Sequence, residues 1–257
     1  MSDPFAENPD LIACAKLVEQ GDPERFAAVM AAPVQARAVL FPIYAFNVEV
    51  SRAPWLTQEP MIAQMRLQWW WDALEEIRNG GMVRRHEVVT PLALVLDGEA
   101  ALWLQDLVEA RRLDVERVPF ADEPALWDYL EKTGGGLMAA AARGLGTRDV
   151  AAAWRIGTAA GLAGYLRAVP DLEARGRQPL PDGRPETIAA LAERGLARYA
   201  EGRRKGRPDA GKPALLAAWQ TRALLTQAAR HPARVADGTL ALSEFGKRWR
   251  LLLAALR

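Results

Sequence analysis

The stretch VQARAVLFPIYAFNVEVSRA, residues 34–53, decides the fold. Val39, Ile43, Phe46 and Val50 recur at steps of four and three, which sets them on one side of a helix. Pro42 lies inside the run, so a kink is expected over residues 38–42, where its ring meets the preceding turn. Tyr44, Asn47 and Ser51 share a neighbouring face. Polar groups beside an apolar stripe must find partners inside a bundle or line a cavity.

Outward from this helix the same period continues. Proline follows Asn8, Asp22, Glu59 and Glu123, where a first helical turn tolerates it, and Gly21, Gly80-Gly81, Gly144 to Gly146 and Gly202 stand at helix ends. The patterns predict helices over 9–20, 23–31, 34–53, 60–79, 91–96, 98–113, 124–145, 148–172, 186–201, 213–230 and 241–256. No strand-and-turn series is present. The chain reads as all-α, and with no repeat or linker, residues 1–257 read as one domain. Residues 174–185 (ARGRQPLPDGRP) form a loop between helices. Residues 202–213 (GRRKGRPDAGKP) read as a solvated basic loop, with a phosphate or lipid-headgroup contact as the minor reading.

Composition narrows the function. The net charge is +1, so no global field argues for nucleic acid. Cys14 is the single cysteine, which excludes an intramolecular disulfide and fits a reducing compartment. With His86 and His231 as the two histidines, far apart, neither a zinc set nor a Ser-His-Asp or Cys-His constellation is expected. Asp3, Glu7 and Asp10 without a basic segment argue against a signal or transit peptide. No run approaches the ~18 apolar residues of a membrane span. The expected location is cytoplasmic, and nine tryptophans leave room for peripheral contact at the inner face of a membrane.

Three features are open. Trp69-Trp70-Trp71 spread over about 200° of a helix, so one of them must lie at an interface edge or the surface; Trp71 is read as exposed or packed on the next helix. Gly134-Gly135-Gly136 lacks the lysine and serine or threonine of a phosphate loop. The alanine- and glycine-rich run from Leu137 to Leu166 either packs helices closely or leaves a tunnel for a long apolar ligand.

The order of several segments resembles the squalene/phytoene synthase family. They are DPERF (22–26), AVLFPIYAF (38–46), EPM (59–61), RLQWW (66–70), YLEKTGGG (129–136) and GTAAGLAGYLRAVPDLEARGRQPLP (157–181). The Tyr-Ala-Phe-Asn and Leu-Gln-Trp-Trp segments resemble a divergent subgroup that includes a mitochondrial complex I assembly factor. The resemblance implies an isoprenoid-synthase-type helical bundle around a central cavity. It implies that Gly134 to Gly136 break a cavity-lining helix, that Tyr129 faces the cavity, and that Trp69 and Trp70 are packing residues.

In active members of that family two aspartate-rich motifs hold magnesium against a prenyl diphosphate. The corresponding positions here are Ser51, Arg52 and Trp55, then Ala168 and Leu172. Glu49 and Asp171 lie nearby on other faces. A cation such as Arg52 repels a metal, yet a guanidinium can itself grip phosphate oxygens. Tyr44, Asn47, Ser51, Arg52, Tyr129, Arg167 and Arg177 are therefore the expected lining of a metal-free anion cavity, against the plainer reading that Arg52 pairs with Glu49 or Asp72. No catalytic residue, metal or cofactor is expected. The expected role is a non-catalytic binding or assembly protein, in respiratory complex I biogenesis by resemblance, with a respiratory-complex subunit as candidate partner. Two alternatives stay open: a prenyltransferase condensing two prenyl diphosphates, and a non-catalytic isoprenoid-lipid binder.

Overall fold

The computed structural model describes residues 8–204 and 210–256; the acidic residues 1–7 and part of the basic loop, 205–209, fall outside them. Local chemistry starts most elements. Asn8 and Asp22 turn their side-chain oxygens back onto the first amides of α1 (Pro9–Gly21) and α2 (Pro23–Met30), satisfying donors that a helix start leaves bare. Next come α3 (Val34–Arg52) and, after a 3₁₀ turn over Ala53–Trp55, α4 (Pro60–Arg78) and α5 (Val89–Ala93). Asp97 caps α6 (Gly98–Glu116) and Asp122 caps α7 (Glu123–Leu130). A π-helical turn, Glu131–Gly135, leads into α8 (Gly136–Gly144), followed by α9 (Ala151–Ala174) and α10 (Pro185–Arg204). The chain continues through α11 (Lys212–Leu215), α12 (Thr221–Arg230), α13 (Ala233–Ala236) and α14 (Glu244–Ala255). No strand occurs among the described residues.

Several expected boundaries move for identifiable reasons. α3, with Pro42 inside it, ends at Arg52, where the 3₁₀ turn begins. The expected helix 124–145 is interrupted because Thr133 donates its hydroxyl to the Tyr129 carbonyl (2.7 Å) and three glycines follow. The expected helix 213–230 splits at a 3₁₀ turn over Leu216–Ala218. The helix expected from 241 begins after Ser243, whose hydroxyl accepts from the Gly246 amide. α13 was not foreseen: four residues are too short to show a period.

Two apolar clusters hold the bundle. One gathers α1, α3, α4, α5, α6 and α8 around the fully buried Leu40, Phe41, Ile43 and Phe46. The other packs α7, α9, α10 and α12 around Leu126, Leu162, Leu166 and Leu225. The small residues of the π turn and α9 pack rather than open a tunnel where they cross, because the Gly134 and Gly157 backbones touch too closely for a side chain. The tryptophan triplet is divided by the bundle. Trp70 is buried and meets Phe46 edge-on at 5.5 Å, while Trp69 and Trp71 are half-buried against the same cluster. Arg84 stacks on Trp69 (4.9 Å) and pairs with Glu76 (2.6 Å).

Cys14 lies wholly inside the first cluster, its thiol donating to the Glu87 carbonyl at 3.5 Å. Burial, reinforced by the Glu87 charge, pushes its pKa up from 9.0 to about 12. The unfolded thiol ionises first, so this contribution to stability is full below pH 9 and is lost as pH rises toward about 12. A thiol-specific reagent at pH 8 is expected to leave the native protein unlabelled and to label one thiol in denaturant. Rapid labelling of native protein would contradict that burial.

Candidate functional site

A cavity of about 320 Å³ opens where α3 ends, between α6, α7 and α9. Its inner wall is Asp114 and Tyr129, both buried, with Arg111 and Tyr165 beside them. Its outer wall is Ser51, Trp55, Asp171 and Arg175.

Asp114 is the centre of the inner wall. It sits in the last turn of α6, where an acid faces the negative end of the helix dipole and needs cationic compensation. Two guanidiniums supply it. Arg111, one turn earlier, donates to Oδ2 (3.1 Å), and Arg177, from the loop after α9, donates to Oδ1 (3.2 Å) and to the Asp114 carbonyl (3.1 Å). Tyr129 adds its hydroxyl to Oδ2 (2.8 Å) while accepting from Arg111 (2.6 Å). The Asp114 and Arg177 side chains are 8% and 6% exposed, so this network lies in a low-dielectric interior.

Burial, the largest influence, pushes the Tyr129 pKa well above 10, and the hydroxyl stays a neutral donor. Tyr165 is raised likewise by burial and by the Asp114 charge. Burial opposes the charge of Arg111, but Tyr129 and Asp114 outweigh it and leave its pKa raised. Two guanidiniums against one carboxylate leave the inner wall with one surplus positive charge. The Arg111 Nε is buried with no hydrogen-bond partner among the described residues.

Trp55 forms the roof. Arg175 stacks on its ring at 4.8 Å and Arg177 at 5.6 Å, fastening the loop after α9 over the cavity mouth. Tyr165 anchors the same loop by donating to the Pro179 carbonyl (2.9 Å).

Of the residues expected at the site, Tyr129 and Ser51 line the cavity, and Arg177 braces its inner wall through Asp114. The structure does not bring the others there. Arg52 is half exposed and pairs with Glu49 at 3.2 Å, the plainer of the two readings. The Arg167 guanidinium faces away from the cavity and pairs with Glu24 of α2 at 2.6 Å. Burial works against the Glu24 charge, but hydrogen bonds from Arg167 and Gln220 hold its pKa below the ordinary value. Tyr44 is buried under Arg25 (5.0 Å) with its hydroxyl unpartnered among the described residues, and burial lifts its pKa to about 12. Asn47 is buried in α3 and does not line the cavity.

Sequence reasoning missed Arg111, Asp114, Tyr165 and Arg175. An Arg-x-x-Asp pair one turn apart was visible at 111–114, but a helix predicted to stop at 113 placed Asp114 in a loop.

Carboxylates are scarce here. Asp114 and Asp171 are the two that line the cavity, and both oxygens of Asp114 are engaged. Asp171 has no ion-pair partner among the described residues, and no three His, Cys, Asp or Glu side chains among them converge into a group able to hold a metal ion.

The family model for squalene/phytoene synthase matches residues 18–183. The chain is 33% identical over 181 residues to a Drosophila melanogaster homologue of NADH dehydrogenase (ubiquinone) complex I assembly factor 6. It is 27% identical over 177 residues to the Homo sapiens complex I assembly factor 6. Each match takes in 65% of this chain and 52% of the relative, so the chain spans about half the length of these curated relatives. Among solved structures, a dehydrosqualene synthase in complex with ligand superposes with a TM-score of 0.80 at 18% identity, covering 98% of both chains. Squalene synthase HpnC from Alicyclobacillus acidocaldarius follows with a TM-score of 0.69 at 18% identity, over 87% of this chain and 94% of its own. These structural likenesses establish a shared helical fold.

Proposed function

Because the chain belongs to the squalene/phytoene synthase family, we propose that it is a member without prenyl-transfer activity, a binding protein that serves respiratory complex I assembly. The observation that carries this reading is the Asp114 carboxylate held between Arg111 and Arg177. Magnesium takes near-octahedral oxygen ligands and binds through carboxylates together with substrate phosphates. A carboxylate already paired with two guanidiniums is a poor ligand, and Asp171 alone is too little. The donor set suits a magnesium cluster poorly, and by resemblance Ser51, Arg52 and Trp55 stand where the family's first motif would supply acids.

The surplus charge of the inner wall instead suits an anion held without metal. Tyr165, Trp55 and Leu172 offer apolar surface beside it. A prenyl diphosphate or another isoprenoid lipid with an anionic head matches both halves of that lining. The complex I role rests on the assembly-factor relatives. No described helix is long and apolar enough to cross a membrane.

Calorimetric titration with a non-ionisable farnesyl diphosphate analogue, with and without chelator, tests the reading. Binding is expected to be unchanged by chelator, roughly tenfold weaker in Arg175→Ala, and unaffected in Arg52→Ala, whose side chain pairs outside the cavity. Magnesium-dependent release of diphosphate from farnesyl diphosphate would overturn it. Loss of assembled complex I on deletion, restored by the wild-type chain, is the expected cellular result.

A further inference from the structure

A second concavity, larger than the cavity described above, lies elsewhere among the described residues. It is a groove of about 840 Å³ between α10, the α11–α12 segment and α14. Its apolar floor includes Leu196, Tyr199, Leu215 and Trp219. Arg203, Lys212, Arg222, Arg230 and Arg250 line it, against one acid, Glu193. None of the five cations has a carboxylate within ion-pair range among the described residues. Elsewhere arginines and carboxylates are interleaved, Arg143 pairing with both Asp97 and Glu99 for example. Five cations converging with one acid over an apolar floor give the groove a positive field that suits an anionic counterpart.

The helix bordering the groove carries a second, independent feature. α14 has no buried residue, and Phe245, Trp249, Leu252 and Leu256 along it are 78%, 52%, 50% and 75% exposed. At 100° per residue these four fall within an arc of roughly 60°. Leu253, at the edge of that stripe, also lines the groove, so the apolar ridge and the basic trough adjoin. Lys247, on the opposite side of α14, pairs with Glu24 and holds that face against the body. The ridge therefore points outward.

We propose that α14 and the adjoining groove form a docking face for an anionic phospholipid bilayer. The Phe245–Trp249–Leu252–Leu256 ridge lies in the interface, and the groove cations meet lipid phosphates. An amphipathic helix with aromatic and leucine side chains on one face, beside clustered arginines, matches the chemistry of that boundary. A second copy of the chain fits less well. Four such side chains offer on the order of 500 Å², below the roughly 800 Å² per partner of a stable interface, and two such basic faces repel.

This inference rests on no feature of the Asp114 cavity and can fail or hold without it. The full chain would be co-sedimented with vesicles of phosphatidylcholine alone and of an equal mixture of phosphatidylcholine and phosphatidylglycerol. Binding to the mixed vesicles is expected, with little to the neutral ones and a steep loss at high salt. It should weaken roughly tenfold or more in Phe245→Ser/Trp249→Ser/Leu252→Ser and, separately, in Arg222→Glu/Arg230→Glu. Circular dichroism would confirm that each variant is folded, and the second keeps the test decisive should the first unfold. Equal binding to neutral vesicles, no binding, or undiminished binding by both folded variants would overturn the proposal. So would full displacement by inorganic phosphate, which would make the groove a site for the free ion, or a dimer in sedimentation that the triple substitution dissolves.

Discussion

Gly157→Ala is expected to destabilise the protein by about 3 kcal/mol or more, the upper end of what overpacking usually does. A methyl group on Gly157 would lie 2.7 Å from the Met138 Cβ and closer still to the Gly134 carbonyl oxygen. Both obstacles are backbone or attached directly to it, so no rotamer change relieves them; α9 must move off the π turn. The reciprocal change, Gly134→Ala, meets the Gly157 carbonyl at 2.6 Å and should behave alike. Gly164→Ala, on the same helix with nothing within 4 Å, isolates the cause. There the better helix propensity of alanine should be neutral or stabilise by up to about 1 kcal/mol. Urea unfolding of the three variants checks the contrast. A mild effect at Gly157 would mean that α8 and α9 do not cross at contact distance.

Asp114→Ala is expected to be comparably severe, about 3–5 kcal/mol, the range for removing one partner of a buried ion pair. The loss exceeds that of a single hydrogen bond because Arg177, 6% exposed, and Arg111 would keep their charges with no counterion. For a chain of 257 residues that corresponds to a drop in Tm on the order of 10 °C. Asp114→Asn preserves shape but not charge and should recover little. If Asp114→Ala instead unfolds like wild type while gaining magnesium-independent affinity for diphosphate, the carboxylate occupies the anion position without bearing on stability. Both variants together separate the two parts played by this residue: it holds the loop after α9 in place, and it limits how much positive charge the cavity presents.

The two predictions divide along the line between what is local in this protein and what is not. The helical class was legible in Val39, Ile43, Phe46 and Val50, and the helix starts in Asn8-Pro9 and Asp22-Pro23, because period and capping involve residues within one or two turns. The family was legible too, since its segments keep their order along the chain. That Ser51, Arg52 and Trp55 carry no carboxylate could likewise be read directly. What Trp55 does instead could not: it stacks with Arg175 and Arg177, from a loop that only the packed bundle brings over it.

Part of the expected lining lies apart from the cavity for the same reason. Arg52 and Arg167 belong to the right helices, but helix rotation turns their guanidiniums toward Glu49 and Glu24. Arg177 finds Asp114 across 63 residues of sequence, and no period connects them. Whether the glycines and alanines after Leu137 would leave a tunnel or close it depended on how closely α9 approaches the π turn and α8. That distance is set where the Gly134 and Gly157 backbones meet. Nearest-neighbour chemistry determined the elements of this protein; which faces meet, and so which charges are buried together, was decided by the packing of the whole bundle.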